Sequence, residues 1–486
     1  MSKIINRRDG PPSPDSFSHA NGGKGDQSAG AVPGWNRWAW LILDVLWLAG
    51  LALYVIAGYR SVPLHGDEPT LIYMSRDYYH LVQRRDVEPV LYRDEPANPA
   101  EQDLRLINGT VGKMAMGLAW DLAGLTVDDL NDQWVWEWSW NDNIALGHMP
   151  GERLLHAARL SSALFTVISA WVVFGIARVV AARRLAAWAA SLIYVTTPAV
   201  LLNGRRAMMD GSMLGFIALT ALVGVLIVRQ QARGWRGAKL AALYALLGVC
   251  GGLAVASKHN AAITVAAVFA AVLVAPLLDA RRADDMRSHF DAPHLLRVAS
   301  ASLLVIVTFL ALNPAWWSAP LAVPEIVLDK REELITSQEA WFGGYESFSG
   351  RLEGLADASF FAAPQYYEVA VWQEYVGDQI ADYEDSWLAG RQGGPVWGGL
   401  LLIAFAAGLW TLIERWREGP AWVVLIWTAL SALALLVLTP MLWQRYYLPL
   451  QPALAVVAGI GMGRVILWAA QVVRGPRSKV WRTNDA

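Results

Sequence analysis

The chain has 486 residues, of which 55% are hydrophobic and 17% are charged, and its formal net charge is −2. A charge this close to zero gives no basic bias toward nucleic acid, and apolar runs of bilayer length are typical of a multi-pass membrane protein. The single cysteine, Cys250, excludes an intramolecular disulfide.

Ten apolar segments are long enough to predict an all-α polytopic fold with about ten transmembrane helices. Residues 1–34 precede them and are rich in Gly, Ser, Pro and Asp, which predicts a disordered cytoplasmic arm. A transmembrane domain at 35–470 and a cytoplasmic tail at 471–486 complete the predicted organisation. The predicted spans lie at 38–57, 157–177, 185–202, 208–228, 239–256, 260–278, 296–313, 395–413, 420–438 and 447–468.

Two long segments without a span interrupt the series, and we call them the first long loop (60–155) and the second long loop (314–394). Both are acidic, with 16 Asp or Glu against 8 Lys or Arg in the first and 14 against 4 in the second. The short connections and both chain ends carry clustered Arg and Lys. Because positively charged short loops stay in the cytoplasm, ten spans predict cytoplasmic termini and place both long loops outside.

The first long loop starts with an acidic pair, Asp67 and Glu68, shortly after span one. Pro69 suits the first position of a helix, and helical periodicity over 69–83 predicts an amphipathic helix along the membrane surface. A second helix is predicted at 104–122. The acidic pair then lies at or just before a helix N-cap, where the helix dipole favours ionised carboxylates. One interpretation is a helix-capping acid; the position at the membrane rim favours a general base.

Charged side chains recur on the same predicted outer face. Arg205 and Arg206 lie between spans three and four, where they either snorkel into headgroups or clamp a phosphate. Asp210 begins span four and is placed to orient an arginine or a substrate hydroxyl. Lys258, in a very short gap between spans five and six, is either a turn residue or a functional cation near membrane depth. Arg445 opens span ten, so these groups are predicted to converge with the acidic pair.

Histidines on the predicted outer face raise the question of a metal. Histidine and carboxylate side chains together can bind a divalent ion, but the sequence has no HxxxH or HExxH spacing. The pattern therefore favours unliganded histidines, and a divalent metal stays an open alternative. The four histidines concerned are His65, His80, His148 and His259.

The acidic pair and the charged segments of the predicted outer face, in their order along the chain, resemble the GT-C superfamily of membrane glycosyltransferases. They resemble most of all its protein O-mannosyltransferase and lipid A aminoarabinose transferase branch. The resemblance covers about 59–470. In 107–124, Lys113 aligns with the lysine of the family's HPPLxK stretch, but Asn-Gly-Thr replaces His-Pro-Pro. The other similar stretches are Asp67-Glu68 after span one, 159–198 for the second and third spans, RRAMMD at 205–210, GGLAVASKHNA at 251–261 and RYYLPLQP at 445–452.

The resemblance implies an inverting glycosyltransferase of the plasma (inner) membrane that acts on the extracytoplasmic face. It implies no cofactor, and a divalent metal stays the open alternative. Its partners are a polyprenyl-phosphate-linked sugar donor, an acceptor that is a protein hydroxyl, lipid or glycan, and the surrounding membrane lipids. Asp67 is implied as the base, with Glu68 in support. The implied phosphate ligands are Lys258, Arg205, Arg206, Lys113 and Arg445, and the implied acceptor or sugar contacts are Asp210, His65 and Tyr446.

Two alternatives remain open from the sequence. An oligosaccharide transferase of the same superfamily would differ in the size of its donor. A transporter or flippase of a lipid-linked sugar would place its ionisable residues at mid-membrane, whereas here they gather at one predicted rim, which favours an enzyme. Aromatic residues of the second long loop either stack on sugar rings or form that loop's own core; they are Trp341, Phe342, Tyr345, Phe348, Tyr366 and Tyr367.

Overall fold

The computed structural model describes residues 37–277, 292–391 and 393–474, and within these ranges the chain is helical without β-strands. Two compact units are distinguished, residues 1–46 and residues 47–486. Of the first unit only residues 37–46 are described. The predicted arm at 1–34 lies outside the described residues, as does the predicted tail from residue 475 onward.

Eighteen α-helices are described. Those from the start of the chain to the end of the first long loop are α1 (Arg37–Ala57), α2 (Asp67–Met74), α3 (Pro99–Ile107), α4 (Thr110–Leu122) and α5 (Trp140–Ala145). The next seven are α6 (Glu152–Ala181), α7 (Arg184–Thr196), α8 (Pro198–Arg205), α9 (Asp210–Ala232), α10 (Gly237–Ser257), α11 (Ala261–Val274) and α12 (Ala292–Leu312). The second long loop contains α13 (Val323–Phe342), α14 (Phe348–Ala356) and α15 (Gln373–Glu384), and it is followed by α16 (Pro395–Glu414), α17 (Gly419–Leu438) and α18 (Gln451–Arg474).

The apolar helices confirm the predicted fold class. By length and composition, eight helical segments of the described ranges are long enough to cross a membrane, and α7 with α8 forms a ninth that is bent by 62°. The apolar helix α11, with 14 residues, is shorter than a usual span. All ten predicted spans therefore fall on helices, although two of them differ from straight, full-length spans.

Small residues allow the apolar helices to pack closely. A Cβ atom added to Gly461 on α18 would lie 1.8 Å from the Ala404 carbonyl oxygen on α16, and one added to Gly408 would lie 1.9 Å from the Val457 carbonyl oxygen. Backbones this close are typical of helix pairs in membranes, where lipid offers no hydrophobic gain and contact must come from packing.

The structure corrects the predicted helix at 69–83. Helix α2 begins at Asp67, with Gly66 as its N-cap, so Pro69 occupies the third helical position rather than the first. It ends at Met74, and a π-helical turn follows at Tyr79–Arg84. Seven of the eight residues of α2 are buried, because α2 lies in an apolar cluster between α4 and α6. It is an interior helix, and the prediction of a surface helix is wrong.

The predicted helix at 104–122 is two helices. The chain breaks at Asn108 and Gly109, which separate α3 from α4. Gly109 packs directly against the end of α10, since a Cβ atom at this position would lie 1.9 Å from the Ser257 carbonyl oxygen. The break therefore brings the start of α4 beside the residue that precedes Lys258.

Candidate active site

Asp67 is the first residue of α2, placed shortly after α1 ends. Its side chain is 31% exposed, while Gly66 before it and Glu68 after it are buried. The first turn of a helix has free backbone N–H groups and favours a negative charge. The turn therefore presents a single carboxylate that another molecule can reach.

Asp67 belongs to a group of four side chains, which we call the carboxylate cluster: His65, Asp67, Glu368 and Arg445. Arg445 forms ion pairs with both acids, through Nη1 to Asp67 and through Nε to Glu368 Oε1 at 3.2 Å. The backbone N–H of Asp67 donates to His65 Nδ1 at 3.1 Å. The imidazole proton therefore lies on Nε2, which donates to Glu368 Oε2 at 2.8 Å.

The charges of the cluster keep both acids ionised. Burial raises the pKa of Asp67, but the positive charge of Arg445 outweighs it, and the pKa lies below its ordinary value. Burial likewise raises the pKa of Glu368, and the charge of Arg445 together with the hydrogen bond from His65 lowers it further than burial raises it. Asp67 is thus a carboxylate at neutral pH, which is the form that a general base requires.

Glu68 has a different environment from its neighbour. Its side chain is fully buried and both oxygens accept from Arg159, Oε1 from Nε and Oε2 from Nη2, each at 2.8 Å. The backbone N–H groups of His65 and Ala207 donate to the same carboxylate at 3.0 and 2.7 Å. Burial raises the pKa of Glu68, and these partners lower it below its ordinary value. Glu68 therefore ties the start of α2 to α6 and to the chain after α8.

Arg205 and Arg206 are both buried, and their guanidinium N–H groups donate to protein groups. Arg205 also donates to the Tyr383 hydroxyl at 2.6 Å. Together the two guanidinium groups join the end of α1 to the second long loop. The accepting carbonyls are those of Tyr54, Val55 and Leu388 for Arg205, and of Pro63 and Tyr366 for Arg206.

Lys258 caps the end of α10 and pairs with the first residue of α9. Its Nζ atom lies 2.8 Å from Asp210 Oδ1. Three buried side-chain atoms of this stretch have no hydrogen-bond partner among the described residues: Asp210 Oδ2, His259 Nε2 and Asn260 Oδ1. Buried polar atoms are nearly always satisfied in folded proteins, so these atoms indicate a place for a polar ligand or water.

His259 is neutral in this environment. Burial, followed by the positive charges of Arg331 and Lys113, lowers the pKa of His259 to about 3. Lys113 itself is buried and lies 3.3 Å from Asp77 Oδ2, and Asp77 also accepts from Arg105 Nε at 2.9 Å. The structure therefore places Lys113 with this acidic partner rather than in the carboxylate cluster.

Arg331 lies on α13, in the second long loop. It donates to the Ile107 carbonyl, and no carboxylate in the described ranges pairs with it. Burial lowers the pKa of Arg331, and the positive charge of Arg445 contributes to this shift. Tyr446 completes this region by donating to Gln338 at 3.0 Å and stacking on Trp443.

The structure thus brings together some of the predicted site residues and separates others. Asp67, His65 and Arg445 are in contact, and Lys258 contacts Asp210. Sequence reasoning missed three charged residues, Arg159, Arg331 and Glu368. Glu368 is one of 14 acids in the second long loop and carries no motif, so nothing in the pattern distinguished it. Arg159 had a signal, since an arginine near the start of a predicted span needs a counter-ion.

Among the residues that the structure describes, no group of three or more His, Cys, Asp or Glu side chains could hold a metal ion.

A surface cavity of about 700 Å³ is lined by Tyr59, Arg60, Arg153 and His156 together with their neighbours. It contains no member of the carboxylate cluster, so the candidate active site is assigned from side-chain chemistry rather than from cavity size.

Comparison with known proteins finds a family match over part of the chain. The family model of dolichyl-phosphate-mannose-protein mannosyltransferase matches residues 110–319, which is less than half of the chain. No curated protein sequence matches significantly.

Two solved structures are similar over most of the chain. ArnT from Cupriavidus metallidurans, bound to undecaprenyl phosphate, has a TM-score of 0.51 and 16% identity, over 92% of this chain and 67% of that one. The oligosaccharyltransferase AglB from Archaeoglobus fulgidus, in complex with an inhibitory peptide and a dolichol-phosphate, has a TM-score of 0.51 and 14% identity, over 92% of this chain and 53% of that one. The chain thus spans about half the length of AglB, and the likeness shows a shared fold.

Proposed function

We propose that this multi-pass membrane protein, whose fold is the GT-C fold predicted from its sequence, transfers a sugar from a polyprenyl-phosphate-linked donor to an acceptor. The observation that carries the proposal is the carboxylate cluster, in which a partly exposed, ionised Asp67 opens a helix beside Arg445. ArnT and AglB, which share the fold, are described with undecaprenyl phosphate and a dolichol-phosphate, which supports a lipid phosphate as the carrier.

In the proposed reaction, Asp67 accepts the proton of an acceptor hydroxyl as the hydroxyl oxygen attacks C1 of the donor sugar. The bond between C1 and the phosphate oxygen breaks on the opposite side, and the configuration at C1 is inverted. The lipid phosphate leaves with the electron pair of that bond. Its charge requires fixed cations, and we assign this role to Lys258, Arg331 and Arg445.

The remaining predicted site residues receive supporting roles in this proposal. Glu68, Arg205 and Arg206 act as positioning residues, because each is buried and bonded to protein groups. His65 orients Glu368 and Asp67, and Asp210 orients Lys258. Lys113 joins the phosphate site only when its pair with Asp77 opens. We place the site on the extracytoplasmic face of the plasma membrane, as the charge distribution of the loops predicts.

The experiment is a transfer assay with the purified protein in detergent, where no gradient can drive transport. Radiolabelled polyprenyl-phosphate-mannose and polyprenyl-phosphate-arabinose serve as alternative donors, and envelope material from a strain lacking the gene serves as acceptor. Transfer of label to the envelope fraction is expected with one donor, with the opposite anomeric configuration in the product. Binding of donor without transfer would favour a transporter instead.

Asp67→Asn is the decisive variant, since asparagine keeps the size of the side chain but cannot take a proton. We expect transfer to fall by a factor on the order of 10²–10⁴, as for other general bases, while donor binding persists. Asp128→Asn, which removes an exposed acid of the same loop, is the matched control and should remain active. Near-normal transfer by Asp67→Asn would show that Asp67 is not the general base.

A further inference from the structure

Five aromatic side chains from the two long loops meet in a single group, which we call the aromatic wall: Trp134, Trp136, Trp140, Trp372 and Tyr375. The ring of Trp372 lies 6.1, 6.3 and 5.1 Å from those of Trp134, Trp136 and Trp140. Tyr375 stacks on Trp140 at 4.7 Å with an angle of 5° between the planes. Two segments more than 200 residues apart therefore build one surface.

The aromatic wall touches the residue that precedes the candidate base. A Cβ atom placed on Gly66 would lie 2.5 Å from Trp372 Cζ2 and 2.8 Å from Trp136 Cη2. Glycine at this position thus allows both rings to reach the backbone beside Asp67. The side chain of Trp136 is nevertheless 51% exposed, so an open indole surface lies next to the carboxylate cluster.

We propose that the aromatic wall is the acceptor site and that the acceptor is a neutral glycan. A sugar ring has a face of C–H groups, which packs on the face of an indole ring, and aromatic rings with few polar groups commonly line small-molecule sites. Stacking of one sugar of the acceptor on Trp136 or Trp372 would place a hydroxyl of that acceptor near Asp67. This inference rests on the proposed function and adds the chemical class of the acceptor.

The charge around the aromatic wall favours a neutral glycan over an anionic acceptor. Exposed acids, Glu137 and Asp142, lie beside the tryptophans of the first long loop. Both long loops carry an excess of acids, 16 against 8 basic residues and 14 against 4. An anionic glycan or lipid headgroup would meet repulsion from these groups, whereas an uncharged sugar ring would not.

The test measures acceptor binding without a donor, so its outcome does not depend on transfer. Saturation-transfer difference NMR is recorded on the purified full-length protein with neutral mannan, arabinan and glucan oligosaccharides, and separately with Ser/Thr-rich peptides. We expect binding of at least one oligosaccharide. Trp136→Ala and Trp372→Ala should each weaken it by roughly three- to tenfold, and Trp136→Phe should retain most of the affinity.

Trp387→Ala is the matched control, because Trp387 is 72% exposed in the second long loop but contacts Tyr54 instead of the aromatic wall. It should bind oligosaccharides like the unaltered protein. Asp67→Asn should also bind them although its transfer is strongly reduced, which separates this inference from the proposed function. The proposal is overturned if none of the oligosaccharides binds, if both alanine variants bind normally, or if only the peptides bind and lose affinity in Trp136→Ala.

Discussion

Arg445 affects Asp67 in two ways that differ in their consequence for the reaction. Its positive charge keeps the carboxylate ionised, but its guanidinium also forms an ion pair with that carboxylate and with Glu368. A donor phosphate would compete for the same guanidinium. In the proposed mechanism, donor binding therefore draws Arg445 toward the phosphate and leaves Asp67 free for the acceptor.

The first prediction concerns the pH dependence of Arg445→Met. Burial raises the pKa of Asp67 and Arg445 is the main group that lowers it, so removal of Arg445 should leave a pKa above the ordinary value of about 3.9. Because the base must be ionised, activity is lost as pH falls through this pKa. The acid limb of the kcat/KM profile should therefore lie at higher pH in Arg445→Met than in the unaltered protein.

A profile measured from pH 4.5 to 8 suffices for this comparison, since the unaltered protein should lose little activity at the acid end of that range. Arg84→Met, which removes an arginine from the first long loop, controls for the general loss of positive charge. Two acid limbs that coincide would show that Arg445 does not set the ionisation of the base.

The second prediction is a loss of stability in Glu68→Gln. The amide would place a donor where Arg159 or a backbone N–H donates, and it would leave the buried Arg159 without a counter-ion. Breaking a buried ion pair in this way costs about 3–5 kcal/mol. We expect a large fall in the melting temperature, measured in detergent by differential scanning fluorimetry, with transfer per folded molecule affected less than in Asp67→Asn.

The double variant Glu68→Gln/Arg159→Met tests the cause of that loss. If the unpaired charge is responsible, removal of both partners should recover part of the lost stability. If the double variant loses as much stability as the two single variants lose together, the ion pair does not have this role.

Sequence reasoning located the side chains of the site better than it described their surroundings. Asp67 could be singled out because its position after a span is visible in the pattern. The partners of Arg205 could not, because they are backbone carbonyls at Tyr54, Val55 and Leu388, and any residue type carries a carbonyl. Position along a chain predicts the side of the membrane, whereas the direction of a side chain depends on packing.

Among the helices, the first long loop differs most from its prediction. The apolar residues of α2 were predicted to face a membrane surface, but they pack against Met116 and Trp120 of α4 and Leu154 of α6. Periodicity shows that one face of a helix is apolar and cannot show whether lipid or protein covers it. The interior position gives Asp67 a rigid support, which a helix lying on lipid would not provide.

The third prediction concerns the contact between α4 and α10. Gly109 and Gly151 are both N-cap residues with similar backbone angles, φ −68°, ψ 154° and φ −61°, ψ 152°. A Cβ atom at Gly109 would lie 1.9 Å from the Ser257 carbonyl oxygen, whereas one at Gly151 would have no neighbour within 4 Å. Gly109→Ala must therefore displace the start of α4 from the segment that carries Lys258.

We expect Gly109→Ala to lose roughly 1–3 kcal/mol of stability, as for other overpacked sites, and to bind the donor more weakly. Gly151→Ala changes the same kind of cap without the contact and should differ little from the unaltered protein. Melting temperature and donor binding are measured for both. Equal behaviour of the two variants would show that the close approach at Gly109 is not required.

For the whole molecule, the type and position of the apolar helices were predictable, but their form and the number of full-length spans were not. The third predicted span is the bent pair α7 and α8, and the sixth is the short helix α11. Hydropathy responds to the apolar content of a window, so it could not register the break at Thr197–Pro198, where the chain turns. Arg205, the last residue of α8, and Arg206 after it both lie in the protein interior beyond this bend.

The fourth prediction is the sidedness of the molecule. Because the Arg-rich short connections share one side in a ten-span arrangement, single cysteines at Ala100 and Ser349 should react with an impermeant maleimide in intact cells. Both positions are exposed and lie in the long loops. A cysteine at Ala238, an exposed position in the first turn of α10, should react only after permeabilisation. The buried Cys250 is replaced by alanine in all variants.

Labelling of Ala100→Cys or Ser349→Cys only in permeabilised cells would reverse the orientation and move the candidate active site to the cytoplasm. Labelling of Ala238→Cys in intact cells would show that the number of spans between the first long loop and residue 238 differs from the prediction. Either result would leave the contacts within the carboxylate cluster unchanged. It would contradict the proposal that an acceptor outside the cell reaches this cluster.

The contact between Asp67 and Arg445 joins residues 378 positions apart, which has a consequence for how the protein is made. At a synthesis rate of about 5–20 residues per second, the ribosome needs roughly 20–75 s after Asp67 to reach Arg445. Throughout that interval the nascent chain holds Asp67 without its counter-ion. If Asp67 is the base that we propose, catalytic competence arises only near the end of translation, and a chain that stops early carries the acid without a functioning site.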